Sequence, residues 1–371
     1  MSDLGLATPE GYGPVATGGW INRLAASRAF QRFCARVPGL RRLLRAEGAA
    51  LFDLMQGFVR SQVLVALVET RLLHRLARTA ARPEALARLT GLPEDRLDIL
   101  LRAGAALGLL RRNRDGSFRL ARRGAAFLSV PGLEDLVRHH GILYADLADP
   151  TAFFRGATDP ELARFWPYVL GGRGGAGEAE RYARLMASTQ ALVAEDTLDA
   201  VPLSGLRHLM DVGGGTGAFL RAVRARYPAL ALTLFDLPAV VAAADPPDGC
   251  RVVAGSFLSG ALPAGADAIS LVRVLYDHAD DTVAGLLQRV RAALPPGGRL
   301  IVSEPMSGGD RPDPQTDVYF AVYTLAMRTG RTRSPAQLAG LMAAAGFDRI
   351  TPRPSLRPYV TCVVTARVPG G

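Results

Sequence analysis

Apolar and polar positions along this chain change rhythm near residue 207. Before it, apolar residues recur every three or four positions, the period of amphipathic helices. After it, short apolar runs (HLMDV, LTLFDL, CRVVAG, AISLVRV, RLIVSEP) alternate with helical stretches such as AFLRAVRARYP and TVAGLLQRVRAALP. Strands that alternate with helices predict a parallel sheet with crossovers on both faces. Further on, LMAAAGFDRITPRP and PYVTCVVTARV predict a last helix and two closing strands.

In the first half, residues 1–18 read as a polar, Gly- and Pro-rich arm. Residues 22–48 then carry seven arginines against one glutamate among Phe30, Phe33 and Leu40, a basic amphipathic stretch interrupted at Pro38. Such a stretch is either a solvated helix lying on the protein's own core or an in-plane anchor on an anionic bilayer. In PEALARLTGLPEDRLDILLRAGAALGLLRR, a helix, a short turn and a second helix follow. Leu97, Leu100, Leu101, Gly104 and Leu107 share one face of that second helix, and Gly104 leaves a gap where a neighbour can approach. NRDGSFRL adds an Asp-Gly turn opening a short strand. Helix-turn-helix plus hairpin is a winged helix, which raises DNA binding as an alternative. The apolar RAGAALGLL half of the second helix argues for burial instead, so no nucleic-acid partner is expected. Residues 170–180, LGGRGGAGEAE, read as a loop, and 181–201 as an amphipathic helix. The resulting division is an arm and basic segment over 1–48, a winged-helix-like domain over 49–130, a helical linker or lid over 131–200 and an α/β domain over 201–371.

Composition changes this picture in two respects. The net charge of +10 over 371 residues comes entirely from arginine, because the chain has no lysine, and its sign favours anionic surfaces. The three cysteines, Cys34, Cys250 and Cys362, form no C-x-x-C pair, so neither a disulfide framework nor a metal site is expected. The start lacks the charged and apolar regions of a secretory signal. The best membrane-span candidate, LFDLMQGFVRSQVLVALVETRLL, is cut by Asp53, Arg60 and Glu69. A reduced, cytoplasmic protein is expected.

Candidate chemistry concentrates at strand ends in the second half. LMDVGGGTGAFLRAV sets a glycine-rich turn between a strand and a helix. Glycine at 213, 214 and 215 lets a ligand approach the amides at the helix start. Asp211 ends the first strand and Asp236 the second, where a carboxylate can accept both hydroxyls of a ribose. An acid two residues before the first glycine repels a pyrophosphate but suits a ligand carrying an ammonium and a sulfonium. The expected cofactor is therefore S-adenosylmethionine rather than a dinucleotide. In AGSFL, Phe257 is placed to pack on the adenine and Ser256 to hydrogen-bond it.

DVGGGTG, FDLP, GSF, RVLYDHADD, LPPGGRLIVSEP and GRTRS occur in an order that resembles the small-molecule O-methyltransferases of the plant caffeate and acetylserotonin type. RLAASRAFQRFCARVPGLRRLLRAEGAALFDLMQGFVRSQVL, YDHADD and SEPMSGGDRP resemble, within that family, the purple-bacterial branch that methylates the tertiary 1-hydroxyl of acyclic carotenoids. The resemblance implies a class I Rossmann-like methyltransferase domain behind a winged-helix dimerisation domain, and a homodimer. It also implies a small lipophilic substrate, and a site at the inner face of a membrane. It places the cofactor against Gly213 to Gly215, Asp236, Ser256, Phe257 and Arg273. The family's catalytic histidine maps onto Tyr276, followed by Asp277. A glutamate that braces the histidine maps onto Glu304, and a second maps near Thr332. Two of those three catalytic positions are changed.

The nucleophile explains why such a change is tolerable. A phenol, with a pKa near ~10, is within reach of a histidine base. An alkanol is about as weak an acid as water, roughly 16, so its proton can leave only as the new bond forms. Tyr276 is then expected to orient the hydroxyl or to wall an apolar tunnel, and His278 is the default displaced base. His139 and His140 lie in a region able to roof the site; His74 and His208 read as structural. Tyr319, Phe320, Tyr323, Leu325 and Met327 form a stripe that suits either core or tunnel lining. An O-methyltransferase acting on phenols or polyketides is the alternative.

Overall fold

The computed structural model describes residues 19–165 and 189–370. The arm over 1–18, the 170–180 loop and the first residues of the helix expected from 181 lie outside the described residues.

Contacts divide the chain after Arg119 into two units. The first opens with three helices, Trp20–Ala26, Arg28–Arg36 and Pro38–Met55. The chain breaks at Val37 because Pro38, with no amide hydrogen, starts a helix but cannot continue one. Helices Gly57–Glu69, Leu72–Arg78, Pro83–Thr90 and Glu94–Ala106 follow, then strands β1 (Leu110–Arg112) and β2 (Phe118–Leu120), which pair as the wing. Leu97, Leu101 and Gly104 of the second winged-helix helix are buried. Its exposed face mixes Glu94 and Asp95 with Arg96 and Arg102, and Arg102 pairs with Asp98 at 2.8 Å. That is not the basic stripe a phosphate backbone needs. A Cβ on Gly104 would lie 3.0 Å from Leu110 Cδ1 and 3.1 Å from Leu67 Cδ1. We therefore expect Gly104→Ala to destabilise the protein by about 1–3 kcal/mol through overpacking, read as a lower denaturation midpoint.

The second unit holds the sheet, β3 (His208–Val212), β4 (Ala231–Asp236), β5 (Arg251–Ala254), β6 (Ala268–Val272), β7 (Arg299–Glu304), β8 (Asp348–Arg353) and β9 (Cys362–Arg367). Its order is β5-β4-β3-β6-β7-β9-β8. The first five strands run parallel, while β9 pairs antiparallel with both β7 and β8. This is an α/β fold with the predicted closing strands at one edge. β6 is buried at every residue, as expected for a central strand covered on both faces. The strand order reverses between β3 and β6, the position where open α/β sheets form a ligand crevice at the carboxyl ends of their strands.

Residues 120–165 and 189–200 fall in the same unit as the sheet. Phe153 and Leu162 share a buried cluster with Tyr323, Ala326 and Met327. Asp146 accepts from the amides of Glu161 and Leu162, capping the helix Glu161–Phe165. A helix over 189–200 is tied to the sheet by Thr197 and Ser303, whose hydroxyls are 2.5 Å apart.

Candidate active site

The glycine turn after β3 is shaped by packing as much as by access. A Cβ on Gly213 would meet Val274 Cγ2 at 2.8 Å, and one on Gly214 would meet Leu234 Cδ1 at 2.5 Å and Asp211 Oδ2 at 2.6 Å. At Gly215 the same direction is open space, and its φ of 58° lies in the left-handed region. The sequence assigned all three glycines to ligand approach. In the fold, 213 and 214 are glycine because neighbours occupy the space, and 215 is the open position.

Asp211 and Asp236 flank this turn. Asp211 Oδ1 accepts from Ser270 Oγ at 2.6 Å, whereas Oδ2 is buried with no hydrogen-bond partner among the described residues. Burial pushes this carboxyl up to about 7, against the Ser270 hydrogen bond and with help from the charge of Asp236. Asp236 accepts from the amides of Gly215 and Leu237 at 2.8 and 2.7 Å, and burial raises its pKa too. A buried carboxylate oxygen without a donor fits a cationic ligand. At the end of β5, Ser256 Oγ accepts from the Leu258 amide, and Phe257 packs on the sheet core.

At the end of β6 the chain turns sharply. Arg273 has φ of 59°, a left-handed conformation that an L side chain adopts at a cost of about 1–2 kcal/mol. Its amide donates to the Ser303 carbonyl, and its guanidinium donates to Thr189 Oγ1 at 2.9 Å. The Arg273 charge acts on both Tyr276 and Asp277. Tyr276 and Asp277 are both buried. Burial and the neighbouring carboxylates raise the pKa of each, against the Arg273 charge. Glu304, at the end of β7, accepts from the Tyr276 amide at 3.0 Å. Burial pushes it up to about 7, opposed by the Arg333 charge. Glu304 thus braces the backbone at position 276, where the family pattern has it brace a side chain.

The structure brings Tyr276, Asp277, Glu304 and Arg273 together, with Glu304 bonded to the Tyr276 amide and the Arg273 charge acting on Tyr276 and Asp277. The His278 ring faces another way, edge-on to Phe257 with ring centroids 5.4 Å apart. Burial, reinforced by Arg333, lowers its pKa to about 4, so the ring is neutral at pH 7. His139 and His140, on the helix Leu133–Asp146, contact Tyr323 and Tyr319 through Nε2, each at 2.8 Å. His208 bridges Thr233 and Gly265 at the foot of the sheet.

Sequence reasoning missed Arg333. Its side chain is 1% exposed. Nε donates to Asp280 at 2.7 Å, Nη1 to the Leu275 carbonyl at 2.9 Å and Nη2 to the His278 carbonyl at 2.7 Å. One guanidinium therefore clamps both ends of the Leu275–Asp277 turn. GRTRS pointed to the neighbourhood, but nothing marked this arginine among 44.

Known proteins fix what this arrangement belongs to. The O-methyltransferase domain matches residues 144–348 and the O-methyltransferase dimerisation domain residues 52–130. The chain belongs to the O-methyltransferase family. It is 58% identical over 354 residues to the demethylspheroidene O-methyltransferase of Cereibacter sphaeroides, covering 93% of each chain. It is 34% identical to the acetylserotonin O-methyltransferase of Mus musculus, covering 84% of this chain and 86% of that one. The solved structure of human N-acetylserotonin methyltransferase in complex with SAM superposes with a TM-score of 0.74 at 25% identity, over 87% of this chain and 98% of that one. The protein is an S-adenosylmethionine-dependent O-methyltransferase with a class I fold, and its dimerisation domain makes it a homodimer.

Proposed function

We propose that this O-methyltransferase methylates the tertiary 1-hydroxyl of an acyclic hydroxycarotenoid. The observation that carries this reading is the reacting end of the site. Tyr276, Asp277, Glu304 and Arg273 meet there without an imidazole, an arrangement suited to an alkanol whose proton no side chain can remove in advance. The similarity to demethylspheroidene O-methyltransferase over nearly the whole chain supports it.

Gly215, Asp236, Phe257 and Arg273 would hold the cofactor, with Asp211 offering its unpartnered oxygen to positive charge and Gly213 and Gly214 setting the turn. Ser256 and the His278 ring beside Phe257 belong to the adenine end. When bound, the sulfonium supplies the methyl group: the carbon–oxygen bond forms as the carbon–sulfur bond breaks, its electron pair leaves on neutral sulfur, and the oxygen must lose its proton. The protein's part is alignment, which is able to supply about 7–11 kcal/mol of the barrier.

A polyene substrate partitions into membrane, and the first helices are suited to collecting it there. Trp20, Ile21, Phe33, Leu43 and Leu51 are exposed among the arginines of residues 20–51. These residues precede the matched dimerisation domain. Among the described residues no single helix is long and apolar enough to cross a membrane. We assign this segment to the surface of an anionic membrane, on its inner face.

One assay tests both parts. Purified protein and labelled S-adenosylmethionine are incubated with 1-hydroxycarotenoids, in neutral or anionic vesicles, and separately with catechols. We expect transfer to the carotenoids, faster from anionic vesicles. Transfer to catechols alone overturns the substrate assignment, and equal rates from both vesicles overturn the membrane one.

A further inference from the structure

The hydrogen of the attacking alcohol must go somewhere, and the groups nearest the family's catalytic position are poorly suited to take it. Glu304 is buried and its Oε2 is taken by the Tyr276 backbone amide. Tyr276 and Asp277 are themselves buried in the turn. His278 faces Phe257.

Two histidine–tyrosine pairs precede the segment that returns to this turn, where Thr329 Oγ1 donates to the Asp277 carbonyl at 3.0 Å and the Arg331 amide to the Tyr276 carbonyl at 2.8 Å. His140 Nε2 lies 2.8 Å from Tyr319 Oη, and His139 Nε2 lies 2.8 Å from Tyr323 Oη. The tyrosine rings are 5.9 Å apart, and both feel the charges around Tyr276 and Arg273. They differ in access. Tyr323 is a member of a buried cluster with Phe153, Leu162, Ala326 and Met327, whereas Tyr319 packs on the edge of that cluster and, though mostly buried, keeps part of its surface exposed. Tyr319 also sits in a π-helical turn, Thr316–Phe320, an irregularity that recurs at functional sites.

We propose that the Tyr319 hydroxyl receives the alcohol's proton and that His140, behind it, is where the proton comes to rest. This rests on the alkanol assignment above. Tyr319 donates its hydrogen to the unprotonated Nε2 of His140, which leaves the phenolic lone pairs for the substrate hydroxyl. As the carbon–oxygen bond forms, the alcohol's O–H bond breaks toward Tyr319 Oη while the tyrosine's own O–H bond breaks toward His140 Nε2. The products are an ether, a neutral tyrosine and an imidazolium, with no phenolate accumulating. Burial lowers the pKa of His140, so the imidazolium sheds its proton to solvent and the ring begins the next turnover neutral. Tyr319 is the catalytic residue and His140 a positioning and accepting residue acting through it. The second pair, His139–Tyr323, has the same chemistry without access.

The test uses the full-length dimer and whichever acceptor the wild type methylates. Proton transfer by a positioned group is typically worth 10²–10⁴-fold, and we expect Tyr319→Phe to lower kcat by about 10²-fold with KM for S-adenosylmethionine within about twofold. Tyr323→Phe should retain kcat within about threefold, because its ring belongs to the buried cluster. His140→Gln offers Tyr319 a hydrogen-bond acceptor but takes no proton, and should fall with Tyr319→Phe. Added imidazole should restore turnover to His140→Ala, a recovery that a purely structural role would not give. Retention of more than about a tenth of kcat by Tyr319→Phe, an equal loss in Tyr323→Phe, or absence of imidazole rescue overturns the relay. If the wild type methylates only catechols, the substrate assignment fails, and the ratio of Tyr319→Phe to wild type on the catechol still decides the relay.

Discussion

Replacing Arg333 with alanine should cost about 3 kcal/mol of stability and take turnover to background. Hydrogen bonds that involve a charged group contribute about 1.5–3 kcal/mol each, not additively. Arg333 makes them to Asp280 and to the carbonyls of Leu275 and His278. Deleting the side chain leaves the buried Leu275 carbonyl without this donor and opens a cavity where the guanidinium lay. The turn that carries Tyr276 and Asp277 is then held by Glu304, by the Arg331 amide, which donates to the Tyr276 carbonyl at 2.8 Å, and by the Thr329 hydroxyl, which donates to the Asp277 carbonyl at 3.0 Å. Arg333→Lys separates geometry from charge. A single ammonium cannot span three acceptors that diverge as the fork of a guanidinium does, so lysine should recover less than half of the loss. Chemical denaturation and steady-state rates for both variants check this. A lysine variant indistinguishable from wild type would show that charge alone suffices.

The affinity for S-adenosylmethionine should rise with pH up to about 7, where Asp211 titrates. The sign follows from which form binds. A cationic ligand prefers the carboxylate, while burial makes the proton hold on up to about 7. Below that pH each binding event must release a proton, so Kd should fall about tenfold per pH unit between 5 and 6 and flatten above 7. Asp211→Asn removes the titration, and its Kd should be weaker at pH 8 by about 10–100-fold and nearly independent of pH. Calorimetry in two buffers of different ionisation enthalpy reads the released proton directly. A wild-type slope that survives in Asp211→Asn would move the titration to Asp236, whose burial raises its pKa as well.

Asp211 and Glu304 also give the ligand-free protein a pH-dependent stability. Asp211 and Glu304 hold protons up to about 7 in the folded state, whereas unfolded carboxyls lose them near ~4. Between those values the folded form binds more protons, so ligand-free stability falls as pH rises through that window.

Much of the fold was legible because its signals are local. The change from helical to strand period near residue 207 reflects a sheet covered on both faces, which needs continuous apolar runs. The glycine turn and the acids at the ends of β3 and β4 lie next to each other in sequence, so their chemistry is visible there. Gly104 was legible as a gap in an apolar stripe, and Leu67 and Leu110 fill it.

Other decisions depend on residues far apart in the chain, and no local pattern encodes them. Asp146 caps a helix that begins 15 residues on. His278 looked like a displaced base because it stands two residues after the family's histidine position. The short turn over Leu275–Asp277 points its ring at Phe257. The stripe around Tyr319 and Tyr323 has one helical spacing in sequence, and only the fold separates an enclosed tyrosine from an accessible one. Sequence by itself determined the fold class and the cofactor, since each is written in contiguous residues with strong conformational or charge preferences, while the altered catalytic position was legible only through the resemblance to the family. Tertiary structure alone decided which hydroxyls face which imidazoles, because those contacts join segments about 180 residues apart, where packing geometry, not local propensity, selects the partner.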